Sequence, residues 1–129
     1  MAEYIYEKAI EHVKDKNLSE KLRQKFLTLI RTYYRERPGK QREIVSTTLD
    51  LCMDKELKPE SSLLSTAKDI VLEVVEGPDE NLKWEVHDRL LEKANSEDED
   101  EKKKFEPIFK GFSDRLLQPK YQKVKVSKT

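Results

Sequence analysis

The stretch "SSLLSTAKDIVLEVVE", Ser61–Glu76, decides between an all-helical and a mixed fold. Its end, "IVLEVV", is β-branched enough to suit a strand. Against that, Leu63, Leu64, Ala67, Ile70, Val71, Val74 and Val75 keep helical spacing for more than three turns, and Gly77-Pro78 is a helix stop. The spacing predicts a helix with an apolar stripe wide enough for the most buried member of a bundle.

The neighbouring segments read the same way. Downstream, a helix from about Asp79 to Ala94 opens with acids, as the helix dipole favours, and carries Leu82, Val86 and Leu90 on one face. "NSEDEDEKKK" reads as a charged loop or frayed start. Phe105, Ile108, Phe109, Phe112 and Leu116 then predict a sixth helix, nucleated at Pro107 in its first turn. Upstream, Lys40 to Asp54 predicts a helix turning Ile44, Val45, Thr48, Leu51 and Cys52 inward. Before it, Asn17 and Glu20 form a cap signature for a helix whose inner face is Leu22, Phe26, Leu29, Ile30 and Tyr33, stopped by Pro38-Gly39. Ile5, Ala9 and Val13 mark the first helix, Ala2 to Lys14. The expected fold is all-α: a single compact bundle of five to six amphipathic helices in antiparallel hairpins over 1–117, followed by a basic tail over 118–129.

Charged residues make up 40% of the 129-residue chain, against about 25% in ordinary domains, so each helix must be strongly two-faced. Abundant Lys and Glu with only three glycines is a balance enriched in proteins from hot environments. The net charge is zero, but the charges are segregated. Lys21 to Arg42 holds eight basic residues and one acid, a net +7, whereas Glu76 to Glu101 holds eleven acids and three bases, a net −8. Such blocks allow salt-sensitive self-association into homo-oligomers. The single cysteine, Cys52, excludes an internal disulfide, and no apolar run reaches the roughly 18 residues of a membrane span. A cytoplasmic protein that does not enter a membrane is the expectation.

Catalytic and metal-binding signatures are missing. His12 and His87 stand 75 positions apart with no Cys-x-x-Cys or His-Glu-x-x-His, and isolated glycines supply no phosphate-cradling loop. "EDEDE", Glu97–Glu101, lacks the glycine and ligand spacing of a calcium loop. Ser65-x-x-Lys68 matches an acyl-transfer spacing by chance and without its companion motifs. No enzyme activity and no cofactor are expected, and no motif carries a family resemblance.

Two surfaces carry the functional expectation. "RTYYRERPGKQR", Arg31–Arg42, together with Lys21 and Lys25, gives Lys21, Lys25, Arg31, Tyr34, Arg35, Arg37, Lys40 and Arg42 as candidates for a phosphate-backbone or partner surface, with Tyr34 as a ring for base stacking. Basic residues near a helix C-terminus also satisfy the dipole without any partner. A helix-turn-helix reading of Pro38-Gly39 is disfavoured, because the bases lie mainly on the helix before it. On the fifth helix Trp84, His87 and Leu91 form a second stripe; a helix apolar on two sides is more commonly buried between neighbours, and if exposed this stripe is the candidate protein contact. The expected function is a non-catalytic protein-interaction or adaptor subunit of a larger assembly, with a protein partner. The alternative is a helical RNA- or DNA-binding protein using the second helix and the lysine tail.

Overall fold

The computed structural model describes residues 3–118, and within them the chain is all-α with no strand. Six helices follow one another: α1 Glu3–Lys14, α2 Glu20–Glu36, α3 Gln41–Met53, α4 Ser62–Glu73, α5 Glu80–Ala94 and α6 Glu99–Leu116. Short 3-10 turns, Pro38–Lys40 and Val74–Glu76, precede α3 and follow α4. The helices group into two compact units that divide at Ile70/Val71. Among the described residues no helix is long and apolar enough to cross a membrane. The basic tail expected over 118–129 lies, apart from Gln118, outside the described residues.

In the first unit α1 and α2 form an antiparallel hairpin. Tyr6 stacks on Tyr33 with ring centroids 4.4 Å apart, whereas nearer the connection His12 meets Phe26 at 4.7 Å and the Arg23 Nε donates to the Val13 carbonyl at 2.8 Å. The cap of α2 is Ser19, not Asn17: its Oγ accepts from the Leu22 amide at 3.2 Å. The Asn17 amide instead donates to Asp15 Oδ1 in the turn before it. The buried face of α2 is also rotated from expectation, to Arg23, Leu27, Ile30, Tyr33 and Tyr34. Leu22 and Leu29 face solvent, and Phe26 is half-buried. α2 carries two apolar stripes, and the one headed by Arg23 turns inward because its guanidinium satisfies a buried carbonyl.

α3 buries Ile44, Val45, Thr48, Leu51 and Cys52 as expected, and also Gln41, Thr47 and Leu49. Its buried hydroxyls donate to their own helix, Thr47 to the Glu43 carbonyl and Thr48 to the Val45 carbonyl, so neither is desolvated without a hydrogen bond. The stretch is helical, α4 followed by the 3-10 turn Val74–Glu76, and all seven of its expected core residues are buried, five on α4 and Val74 and Val75 in the turn. A polar ladder joins it to α2: Ser61 donates to Glu20, Ser62 to Gln24, and the Gln24 amide to Thr66.

In the second unit Asp79 caps α5 by accepting from the Leu82 amide at 3.0 Å. α6 starts two turns before the expected point. Asp98 accepts from the Asp100 and Glu101 amides, and Glu99, Asp100 and Glu101 fill the first turn, where the helix dipole favours acids. Pro107 therefore lies inside the helix, on its exposed side, rather than at its start. α5 and α6 run antiparallel, with His87 facing Phe109 at 5.2 Å and Lys93 pairing with Glu101 at 3.4 Å. Leu82, Val86, Leu90 and Ala94 are buried on α5, and Phe105, Ile108, Phe112 and Leu116 on α6.

Candidate functional site

Much of the basic stretch of α2 and its following turn serves the fold. Tyr34 is only 5% exposed, so it belongs to the core and offers no ring to a nucleobase. Its burial follows from the rotation of α2, which places residue 34 in line with Leu27 and Ile30. Tyr33 stacks on Tyr6 and donates to Glu3 Oε1 at 3.1 Å. Arg37 lies 5.5 Å over the Tyr33 ring.

Lys40 is half-buried, lies 5.5 Å over the Tyr6 ring and pairs with Glu3 Oε2 at 2.9 Å. The hydrogen bond from Lys40 holds the Glu3 carboxyl below its ordinary range, and Glu3 in turn raises the Lys40 ammonium. Burial, followed by the hydrogen bond to Glu43, pushes the Tyr6 phenol above its ordinary value. This cluster ties the start of α1 to the end of α2 and the start of α3. Within it the Lys40 ammonium already has the Glu3 carboxylate as an ion-pair partner.

Lys21, Lys25, Arg35 and Arg42 are exposed and Arg31 is half-buried. Lys21 and Lys25 lie beside the solvent-facing pair Leu22 and Leu29, which are 40% and 39% exposed. On the other flank of that pair sits Phe26 with its His12 neighbour.

The α5 stripe is exposed at its ends and packed at its edge. Trp84 is 47% and Leu91 37% exposed, while His87 is half-buried, its ring 5.1 Å from Trp84 and 5.2 Å from Phe109. The His87 Nδ1 lies 3.0 Å from Asp88 Oδ1. Trp84 and Leu91, seven residues apart, share nearly one angular position, with Glu85, Asp88 and Glu92 exposed along their outer flank. The result is an apolar strip with an acidic margin on one side and an aromatic margin, His87 and Phe109, on the other. Phe109 follows the apolar spacing of α6, but its half-burial and its ring contact with His87 place it at this margin.

Two buried charges had no signal in the sequence. Arg23 and Lys83 occupy core positions, and Lys83 Nζ is held by Glu80 Oε2 at 2.7 Å. Cys52 is buried, and among the described residues no group of His, Cys, Asp and Glu side chains is arranged to hold a metal ion. Comparison of the chain with protein-family models, with curated proteins and with solved structures found no match.

Proposed function

We propose that the protein is a non-catalytic interaction module whose α5 strip receives an amphipathic helix bearing an apolar stripe flanked by basic residues. The observation that supports this reading is the solvent exposure of Trp84 and Leu91 on one line beside Glu85, Asp88 and Glu92. Tryptophan is enriched among the anchors of protein interfaces, and a preformed apolar strip rimmed by one sign of charge selects a partner of the other sign. The ring contacts of His87 with Trp84 and Phe109 fix the indole's neighbourhood before any partner arrives, which lowers the ordering cost of binding.

Trp84 is the chain's single tryptophan, so its emission reports this surface alone. Titration with a helical peptide carrying leucines seven residues apart, flanked by lysines, should shift the emission to the blue and saturate. The same peptide with glutamates in place of the lysines should leave it unchanged. If both peptides act alike, or neither acts, the reading is wrong.

A further inference from the structure

The exposed faces of α2 and α5 match each other. Each presents an apolar pair seven residues apart, Leu22 with Leu29 and Trp84 with Leu91, about 10.5 Å along the helix axis. Each pair has a histidine-aromatic contact on one flank, His12 with Phe26 and His87 with Phe109. On the other flank the charges are opposite: Lys21 and Lys25 on α2, Asp88 and Glu92 on α5, all four exposed.

We infer that the helix received by the α5 strip is α2 of a second copy of this chain, so that the protein associates head to tail. This rests on the proposed role of the α5 strip and names its occupant. Equal apolar spacing lets the leucines of one helix seat beside Trp84 and Leu91 of the other, while the lysines align with the acids. Because the two surfaces differ, the contact is heterologous: a pair keeps one unused face of each kind, one on each copy, and association continues into chains or closed rings. Two helix faces bury less than the roughly 1,200 Å² of a stable complex, so the contact is weak and concentration-dependent. Its charges make it salt-sensitive, since screening shortens from about 10 Å at 0.1 M salt to about 3 Å at 1 M.

Sedimentation of the full chain at low ionic strength should give a mass that rises with concentration, at least doubling, with a parallel blue shift of Trp84 emission. High salt should return the monomer. Two charge-reversal variants made on exposed side chains avoid disturbing the core: Lys21→Glu with Lys25→Glu, and Asp88→Lys with Glu92→Lys. Each alone should stay monomeric where the wild type associates, because its two faces then carry the same sign. An equimolar mixture should regain association, because every junction between the two variants restores opposite charges. A wild type of constant monomer mass at low salt overturns the inference, as does a mixture that fails to recover. If the wild type stays monomeric while the lysine-flanked peptide still shifts Trp84, only self-pairing falls. If the peptide fails too, the role of the α5 strip falls with it.

Discussion

Tyr6 and Tyr33 stack at 4.4 Å, and each phenol ends on a different glutamate: Tyr6 donates to Glu43 and Tyr33 to Glu3. Replacing Tyr6 by Phe keeps the stack but removes the donor to Glu43. A hydrogen bond to a charged acceptor contributes about 1.5–3 kcal/mol, and the exposure of Glu43 discounts this to about 1–2 kcal/mol. Urea unfolding should show that loss. Because burial and Glu43 raise the Tyr6 pKa, its share of stability is present below the ordinary tyrosine value and lost as pH rises beyond it. Tyr6→Phe should therefore lessen the alkaline loss of stability.

The Glu3–Lys40 pair sets a second pH dependence. Glu3 is depressed below its ordinary value, so its contribution is present above that value and disappears as pH falls through the folded one. Lys40 is raised, so its contribution is present below the ordinary lysine value and disappears as pH rises through the folded one. Glu101, depressed by the Ser96 hydroxyl and then by Lys93, adds to the acid limb. Lys40→Met should flatten part of that limb in urea midpoints measured between about pH 5 and pH 3, a window spanning the ordinary carboxylate range, leaving the Glu101 part. An unchanged limb would show that the pair contributes nothing to folding.

Lys83 is buried, and its ammonium pairs with the Glu80 carboxylate at 2.7 Å. Removing the acid should hurt more than removing the pair. Glu80→Gln should destabilise by about 1–3 kcal/mol, below the 3–5 of a fully buried pair because Glu80 is partly exposed. Lys83→Met should be close to neutral, since an apolar chain of similar length fills the site without a charge to solvate. Thermal melts of both variants make the comparison.

Gly111 lies inside α6, where glycine is about 1 kcal/mol less favourable than alanine. A Cβ added there would meet Leu72 Cδ2 at 3.7 Å, an ordinary contact. Gly111→Ala should therefore stabilise the protein by about 0.5–1 kcal/mol, read as a higher melting temperature. A lower one would mean that the helix backbone approaches a neighbour too closely for any side chain.

The sequence made α4 legible as a helix despite its β-branched end, because seven apolar residues held helical spacing against a glycine-proline stop. It made the inner face of α3 legible for the same reason. On α2 it failed, and the reason is specific: hydropathy counts Arg23 against the stripe that contains it, whereas the fold gives its guanidinium the Val13 carbonyl. Lys83 escaped notice in the same way, since the burial of a charged residue depends on contacts that only the folded chain supplies. Along α5 the second apolar stripe was legible from spacing, but its exposure was not, since a helix apolar on two sides can equally be buried between neighbours. Its acidic margin was present in the sequence as a charge block, but only the helix geometry sorts Glu85, Asp88 and Glu92 onto one flank.

Pro107 has no amide hydrogen, so within α6 the carbonyl of Lys103 loses the rung that a residue at 107 would supply. The helix is thereby divided into an acidic opening segment and an aromatic closing one. On the time scale of amide exchange these are two strands of a rope with one splice. The opening segment is held by the Asp98 cap, the Lys93–Glu101 pair and the buried ring of Phe105, the closing one by Ile108, Phe112 and Leu116 in the core. Fraying that starts at Glu99 therefore meets the buried Phe105 before it reaches the missing rung at Pro107, so the turns ahead of Phe105 open to solvent more readily than the rest of α6.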